Sequence, residues 1–158
     1  MKNDPQIRAF LDMIAWSELG QWLIDHSDNG YNVLVGSIQG RPLLFGSYAD
    51  HPRTIVRLSR TLSSTAAGRY QILARIYDFY KDSLHLPDFS PDSQDKIALQ
   101  LIRECKATTD IRAGRVKQAI LRCSSRWASL PSAGYGQHEH SIDDLTKAFR
   151  RAGGTVSD

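Results

Sequence analysis

One carboxylate stands out by its position. Apolar residues recur at Ile7, Phe10, Leu11 and Ile14 with helical spacing, and the next step of that spacing lands on Glu18. An acid on the stripe that faces the core, with Trp16 two residues before it, loses part of its hydration. Lost hydration disfavours the charged form and raises the pKa. A carboxyl that keeps its proton near neutral pH is what general acid catalysis requires. The periodicity also fits a helix-end glutamate whose head reaches water, so spacing alone leaves two readings open. The other chemistry-bearing residues are weaker. His138-x-His140 lacks the further spaced ligands a metal site needs, so neither metal nor cofactor is expected. Cys105 and Cys123 stand outside any CxxC pattern and read as reduced, largely buried thiols, with a bridge between them left open. Arg69, Arg75 and Arg126 read as solvated or paired charges.

The elements that must hold these groups follow from pattern. Asp4 can cap a first helix and Pro5 suits its first position, giving a helix from about residue 5 to about residue 18. From Gly20 to Leu62 the character changes. Glycines at 20, 30, 36, 40 and 46 separate the β-prone runs YNVLVG, RPLLFGSY and TIVRL, and Asp28-Asn29-Gly30 is a turn signal. This predicts a small antiparallel sheet of two or three strands. Helices return over TAAGRYQILARIYDFYKDSL, then after the Ser90-Pro91 cap, then from Asp110 through Ile120 towards Trp127 and a stop at Pro131. Ser141 and Asp144 open the last helix and Gly153-Gly154 closes it. The expectation is one α+β domain spanning 1–158, with a sheet lobe, a larger helical lobe and a cleft between them, clefts being common ligand sites.

Bulk properties exclude several classes. With 158 residues, 41% hydrophobic and 23% charged, the chain is neither disordered nor fibrous. A net charge of +3 favours polyanionic partners or a bacterial surface, yet no run of five basic residues marks a nucleic-acid binder, and none is expected as partner. The N-terminus, interrupted by Asp4, Arg8, Asp12 and Glu18, reads as lacking a signal peptide, and no stretch reaches the length of a membrane span. Synthesis and folding in the cytoplasm are expected.

Several segments together carry a resemblance. FLDMIAWSE (10–18), SDNGYNVLVG (27–36), STAAGRYQ (64–71), DFSPDSQDKIALQ (88–100), WASLPSAGYGQHEH (127–140) and AGGTV (152–156) resemble the phage endolysin family of the lambda lysozyme type, in order and across nearly the whole chain. The resemblance implies a lysozyme-like fold and cleavage of the β-1,4 bond between N-acetylmuramic acid and N-acetylglucosamine in peptidoglycan. It implies a lytic transglycosylase, which leaves a 1,6-anhydro-muramic end and adds no water. It places the catalytic glutamate on Glu18. The GRYQ segment resembles a sugar-contacting glycine–glutamine motif, which maps to Gly68, Arg69, Tyr70 and Gln71. The AGYGQ segment puts Tyr135, and with it Gln137, near the acid. Ser63, Ser64 and Thr65 fit either sugar binding or helix capping, and Trp22 is the expected sugar-stacking aromatic. The loops LGQWLIDHSDNG and SIQGRPLLFGSYADHP depart from the family pattern, which bears on substrate preference.

A hydrolysing glycosidase normally needs two carboxyl groups. Hydrolytic phage lysozymes place an aspartate nine positions after the glutamate; here that position is Ser27. Asp25, Asp28 and Asp50 are the candidates left if hydrolysis occurs, with Asp28 more simply a turn residue. A hydrolytic muramidase of the same fold and a non-enzymatic cell-wall-binding module are the alternatives. Cell-wall activity without a signal peptide implies a holin-type membrane pore for release to the periplasm, and a monomer is expected.

Overall fold

The computed structural model describes residues 1–131 and 139–157. In chain order the elements are α1 (Pro5–Leu19), α2 (Gln21–Asp25), β1 (Val56–Arg57), β2 (Ser63–Ser64), α3 (Ala74–Ser83), α4 (Pro91–Glu104), α5 (Thr108–Arg112), α6 (Val116–Cys123) and α7 (Ile142–Arg151). They fall into two compact units, Met1–Glu18 with Ala98–Asp158, and Leu19–Ile97.

The first unit is helical. Asp4 Oδ1 accepts from the main-chain N–H of Gln6 at 2.9 Å and of Ile7 at 3.4 Å, so α1 begins where the sequence predicts. Gly20, at φ 79°, follows its end. Burial on α1 is wider than one stripe: Ala9, Met13, Ala15 and Ser17 are buried along with Ile7, Phe10, Leu11 and Ile14. Such a helix is enclosed nearly all round, as the central helix of a core is. The single helix expected from Asp110 to Trp127 is instead two, α5 and α6, which lie against each other. Gly114 separates them at φ 79°, and a Cβ there would press on main-chain atoms of Thr155 and Ser157 at 2.7 Å. The C-terminal segment occupies that space, with Ser157 N–H donating to Gly114 O at 3.0 Å. The predicted cap of α7 forms, Asp144 N–H donating to Ser141 Oγ at 3.1 Å.

The second unit has little regular structure. Only one of the three expected runs becomes a strand: β1 pairs antiparallel with β2, Val56 opposite Ser64 and Arg57 opposite Ser63. The runs 31–36 and 41–48 make single bridges, Val33 to Leu44 and Leu34 to Ala67. Gly30, Gly36 and Gly40 all take positive φ, and Pro42 has no N–H to donate, so no ladder propagates. The helix expected from Thr65 starts only at Ala74, since the chain first turns back through Gly68 (φ 85°) and Gln71 (φ 51°) to bridge Ala67 with Ile72. In place of the polar loop expected after Gly20, α2 forms.

Candidate active site

In the first unit, burial and a hydroxyl set the state of Glu18. Desolvation by the surrounding protein pushes the Glu18 carboxyl up to about 8, and one hydrogen bond, from the Ser129 hydroxyl, works the other way. The Ser17 and Ser129 hydroxyls are 2.7 Å apart and buried. A hydroxyl has one proton to donate, so with Ser129 donating to Glu18 the second bond must run from Ser17 to Ser129. His140 holds both serines. Its Nε2 lies 3.1 Å from Ser17 O and its main-chain N–H donates to Ser129 O at 3.0 Å. Because Ser17 O can only accept, His140 Nε2 is the donor. The same ring packs against Trp16, centroids 4.7 Å apart, and Arg151 lies over the Trp16 ring at 5.4 Å. Sequence reasoning singled out Glu18, passed over Ser129 and weighed His140 only with His138 as a metal pair. Neither carries a signal of its own, because each reaches α1 from more than a hundred residues away.

The second unit holds the GRYQ segment with two side chains of α4. Gln94 is fully buried and makes three hydrogen bonds: Nε2 donates to Tyr31 O at 3.0 Å and Phe89 O at 2.9 Å, and Oε1 accepts from Arg69 N–H at 3.0 Å. Asp95 Oδ1 accepts from the hydroxyls of Tyr31 at 2.9 Å and Tyr70 at 2.6 Å. The sugar contacts expected of Arg69 and Tyr70 fall on side chains that present almost no surface, 3% and 0% exposed. Arg69 instead donates to Asn29 O at 2.8 Å and lies over the rings of Tyr31 and Tyr70. What approaches Gly68 closely is the Gln94 amide, with which a Cβ would collide.

Gln71 is half-buried, its Nε2 donating to Gly68 O at 2.9 Å and Val33 O at 3.3 Å. Those bonds use the amide nitrogen and leave the amide oxygen as what Gln71 can offer a ligand. Thr65 Oγ1 accepts from Ala74 N–H at 3.0 Å and so serves the first turn of α3; Ser64 Oγ accepts from Ala66 N–H at 3.1 Å. Thr65 thus caps α3 through its oxygen, and its hydroxyl proton can still donate to a ligand. Trp22 stacks on His26, centroids 3.9 Å apart and planes 8° from parallel, which covers one face of the indole. Tyr135 and Gln137 lie outside the described residues, as does His138.

The three other candidate acids are engaged. Asp25 accepts from Gln21 Nε2 at 2.8 Å, Asp28 from the Tyr48 hydroxyl at 2.6 Å, and Asp50 from Arg53 at 3.0 Å. Hydrogen bonding to Arg53 holds Asp50 below its ordinary range. Glu18 differs in kind from Asp50: burial raises its carboxyl to about 8, opposed by the hydrogen bond from one hydroxyl.

A helix carrying a protonated glutamate, joined to a unit of short antiparallel pairs, describes a lysozyme-like α+β protein. Comparison with known proteins makes this specific. The family model described as Endolysin matches residues 8–156. The chain is 52% identical to the endolysin of Escherichia phage lambda over 152 residues, 96% of this chain and 93% of that protein. It is 49% identical to the endolysin of Escherichia phage P2, over 94% of this chain and 93% of the relative. Its fold is similar to that of bacteriophage lambda lysozyme complexed with a chitohexasaccharide, with a TM-score of 0.91 at 49% identity over 99% of both chains. A second structure of lysozyme from bacteriophage lambda matches with a TM-score of 0.86. The chain belongs to the endolysin family.

Proposed function

We propose that this chain is a peptidoglycan lytic transglycosylase, an endolysin that cuts the β-1,4 bond from N-acetylmuramic acid to N-acetylglucosamine, with Glu18 as its acid and base. The observation that carries the proposal is the Glu18 carboxyl itself, desolvated, raised to about 8 and therefore protonated at neutral pH. Membership of the endolysin family and similarity to a lysozyme bound to a chitohexasaccharide support a glycan substrate.

Glu18 gives its proton to the departing glycosidic oxygen as the bond to the muramic anomeric carbon breaks. The carboxylate then takes the proton of the muramic 6-hydroxyl, whose oxygen attacks that anomeric carbon. The products are a free 4-hydroxyl and a 1,6-anhydro ring, and no water is consumed. An attacking group within the same sugar acts at high effective concentration, so no second carboxylate is needed to activate water. The engagement of Asp25, Asp28 and Asp50 with other groups favours this one-acid scheme. The Ser17–Ser129 relay stabilises the transient carboxylate by hydrogen bonding.

Glycan contacts are assigned to Gln71 through its amide oxygen, to Trp22, Ser64 and Thr65, and to Tyr135 and Gln137 from the AGYGQ segment. Arg69 and Tyr70 act as the scaffold of the Gln71 turn. The enzyme works as a monomer and reaches the wall through a holin-type pore. No helix among the described residues is long and apolar enough to cross a membrane. The test is to digest isolated peptidoglycan with the protein and with Glu18→Gln and weigh the released muropeptides. Anhydro products one water lighter than hydrolysis products, absent with the variant, are expected. Products carrying the water would make it a muramidase, and no release by either protein would leave only a wall-binding module.

A further inference from the structure

The second unit carries a surface that the cleavage chemistry does not use. Nine large apolar side chains are exposed among the described residues, and six of them, Ile38, Leu43, Leu44, Ile55, Leu58 and Leu62, fall in the stretch 36–63. Packing gathers part of this stretch over Gly36. A Cβ there would meet Val56 Cγ1 at 3.1 Å, Leu58 Cδ2 at 3.5 Å and Leu43 Cδ1 at 3.7 Å, so these three side chains share the space that glycine leaves. The same stretch makes two tight turns. Ile38 and Arg41 exchange main-chain hydrogen bonds, and Leu58 N–H donates to Leu62 O at 2.8 Å at the tip of the β1–β2 hairpin. Both turns are basic. Residues 36–63 contain Arg41, Arg53, Arg57 and Arg60 against one acid, Asp50. Arg53 pairs with that acid at 3.0 Å and with Asp78 at 2.6 Å. Arg41, Arg57 and Arg60 are exposed. The Arg57 guanidinium donates to Ser59 O and Arg60 O, each at 3.2 Å, which fixes it at the hairpin tip without neutralising it.

We propose that this face docks on an anionic phospholipid bilayer, with the aliphatic side chains of the two turns entering the headgroup region and Arg41, Arg57 and Arg60 meeting lipid phosphates. A contiguous exposed apolar surface marks an interaction site more often than it marks chance. Aliphatic side chains beside arginines suit the membrane boundary, because the apolar groups leave water while the long arginine stems keep their charged heads among the phosphates. Each arginine held near an anionic bilayer adds to the attraction. Charge argues against a second copy of this chain as the occupant, since the same three arginines would face themselves. A glycan is a poorer match. It presents hydroxyl and amide groups, to which aliphatic side chains offer no hydrogen bond. The rings of Phe45 and Tyr48 are half-buried and pack edge to face on each other, centroids 5.7 Å apart.

The test is co-sedimentation of the full-length protein with vesicles of mixed phosphatidylglycerol and phosphatidylcholine, and with vesicles of phosphatidylcholine alone. Binding to the first and not to the second is expected, weakening as salt is added. Arg57→Gln and Arg60→Gln should each weaken it about fivefold. Arg103→Gln, in the first unit, removes the same charge and should leave it unaltered, which separates this face from the general attraction of a basic protein. The double variant Ile55→Ser with Leu58→Ser should weaken binding by about tenfold or more. Thermal midpoints equal to the wild type show that the variants are folded. No binding to the anionic vesicles, binding that the serine variant keeps, or a variant defect seen only on isolated glycan strands would overturn the proposal.

Discussion

Burial raises the Glu18 carboxyl to about 8, so it keeps its proton at neutral pH. A general acid of this kind works below its pKa, so activity should be present at neutral pH and fall as the pH rises through about 8. Glu18→Gln removes the transferable proton but keeps the shape, and should lower the rate of glycan release by about 10²–10⁴-fold. Ser129 acts through its hydrogen bond to the Glu18 carboxyl. Its hydrogen bond lowers the Glu18 pKa, so Ser129→Ala should move the alkaline limb of kcat/KM to higher pH, a shift that a purely structural role would not produce. Rates of muropeptide release across pH 6–10 check both expectations. A desolvated Glu18 was one of the two readings that helical spacing left open. Ser129 was not legible, since a hydroxyl more than a hundred residues away has no local pattern pointing at Glu18.

At the scale of elements, the turn carrying Gln71 is held by α4 through Gln94 and Asp95. Gly68→Ala combines a left-handed φ of 85° with a collision against the Gln94 amide. It should destabilise the protein by about 2–4 kcal/mol, read by denaturant unfolding. Asp95→Ala removes the acceptor of two buried tyrosine hydroxyls and should cost about as much. The helices were legible where caps and periodicity agree, as at Asp4-Pro5, Ser90-Pro91 and Ser141. They were misread where tertiary packing outvotes helical composition. Thr65–Leu73 looks helical yet turns back on itself, because Gly68 and Gln71 take positive φ beneath the Gln94 clamp. The sheet was over-read for the converse reason: apolar runs suggested strands where glycine and proline permit only single bridges.

For the whole molecule, the raised acid carries a cost in stability. A carboxyl whose folded pKa exceeds its unfolded value of 4.5 binds its proton more tightly in the folded state. Folding therefore loses free energy as pH rises from about 4.5 to about 8, at up to about 1.4 kcal/mol per pH unit. Glu18→Gln lacks this penalty, so its stability advantage over the wild type should be absent below pH 4.5, grow to a few kcal/mol by pH 8 and then stay level. Parallel thermal melts of the two proteins between pH 4 and 9 measure it, and a constant difference across that range would mean that the carboxyl is solvated. His51 tilts the balance the other way at the acid end. Buried and lowered in pKa by desolvation, it contributes stability above its unfolded pKa of 6.5 that is lost as pH falls below it.

The central claim is that one desolvated carboxyl, with no enzyme-activated water, cleaves the glycan. Digestion of isolated peptidoglycan in ¹⁸O-labelled water tests it most directly. The account predicts muropeptides with 1,6-anhydro ends and no ¹⁸O incorporated at cleavage. One ¹⁸O at each new reducing end would contradict it, and would turn attention to Asp25, Asp28 or Asp50 as the base.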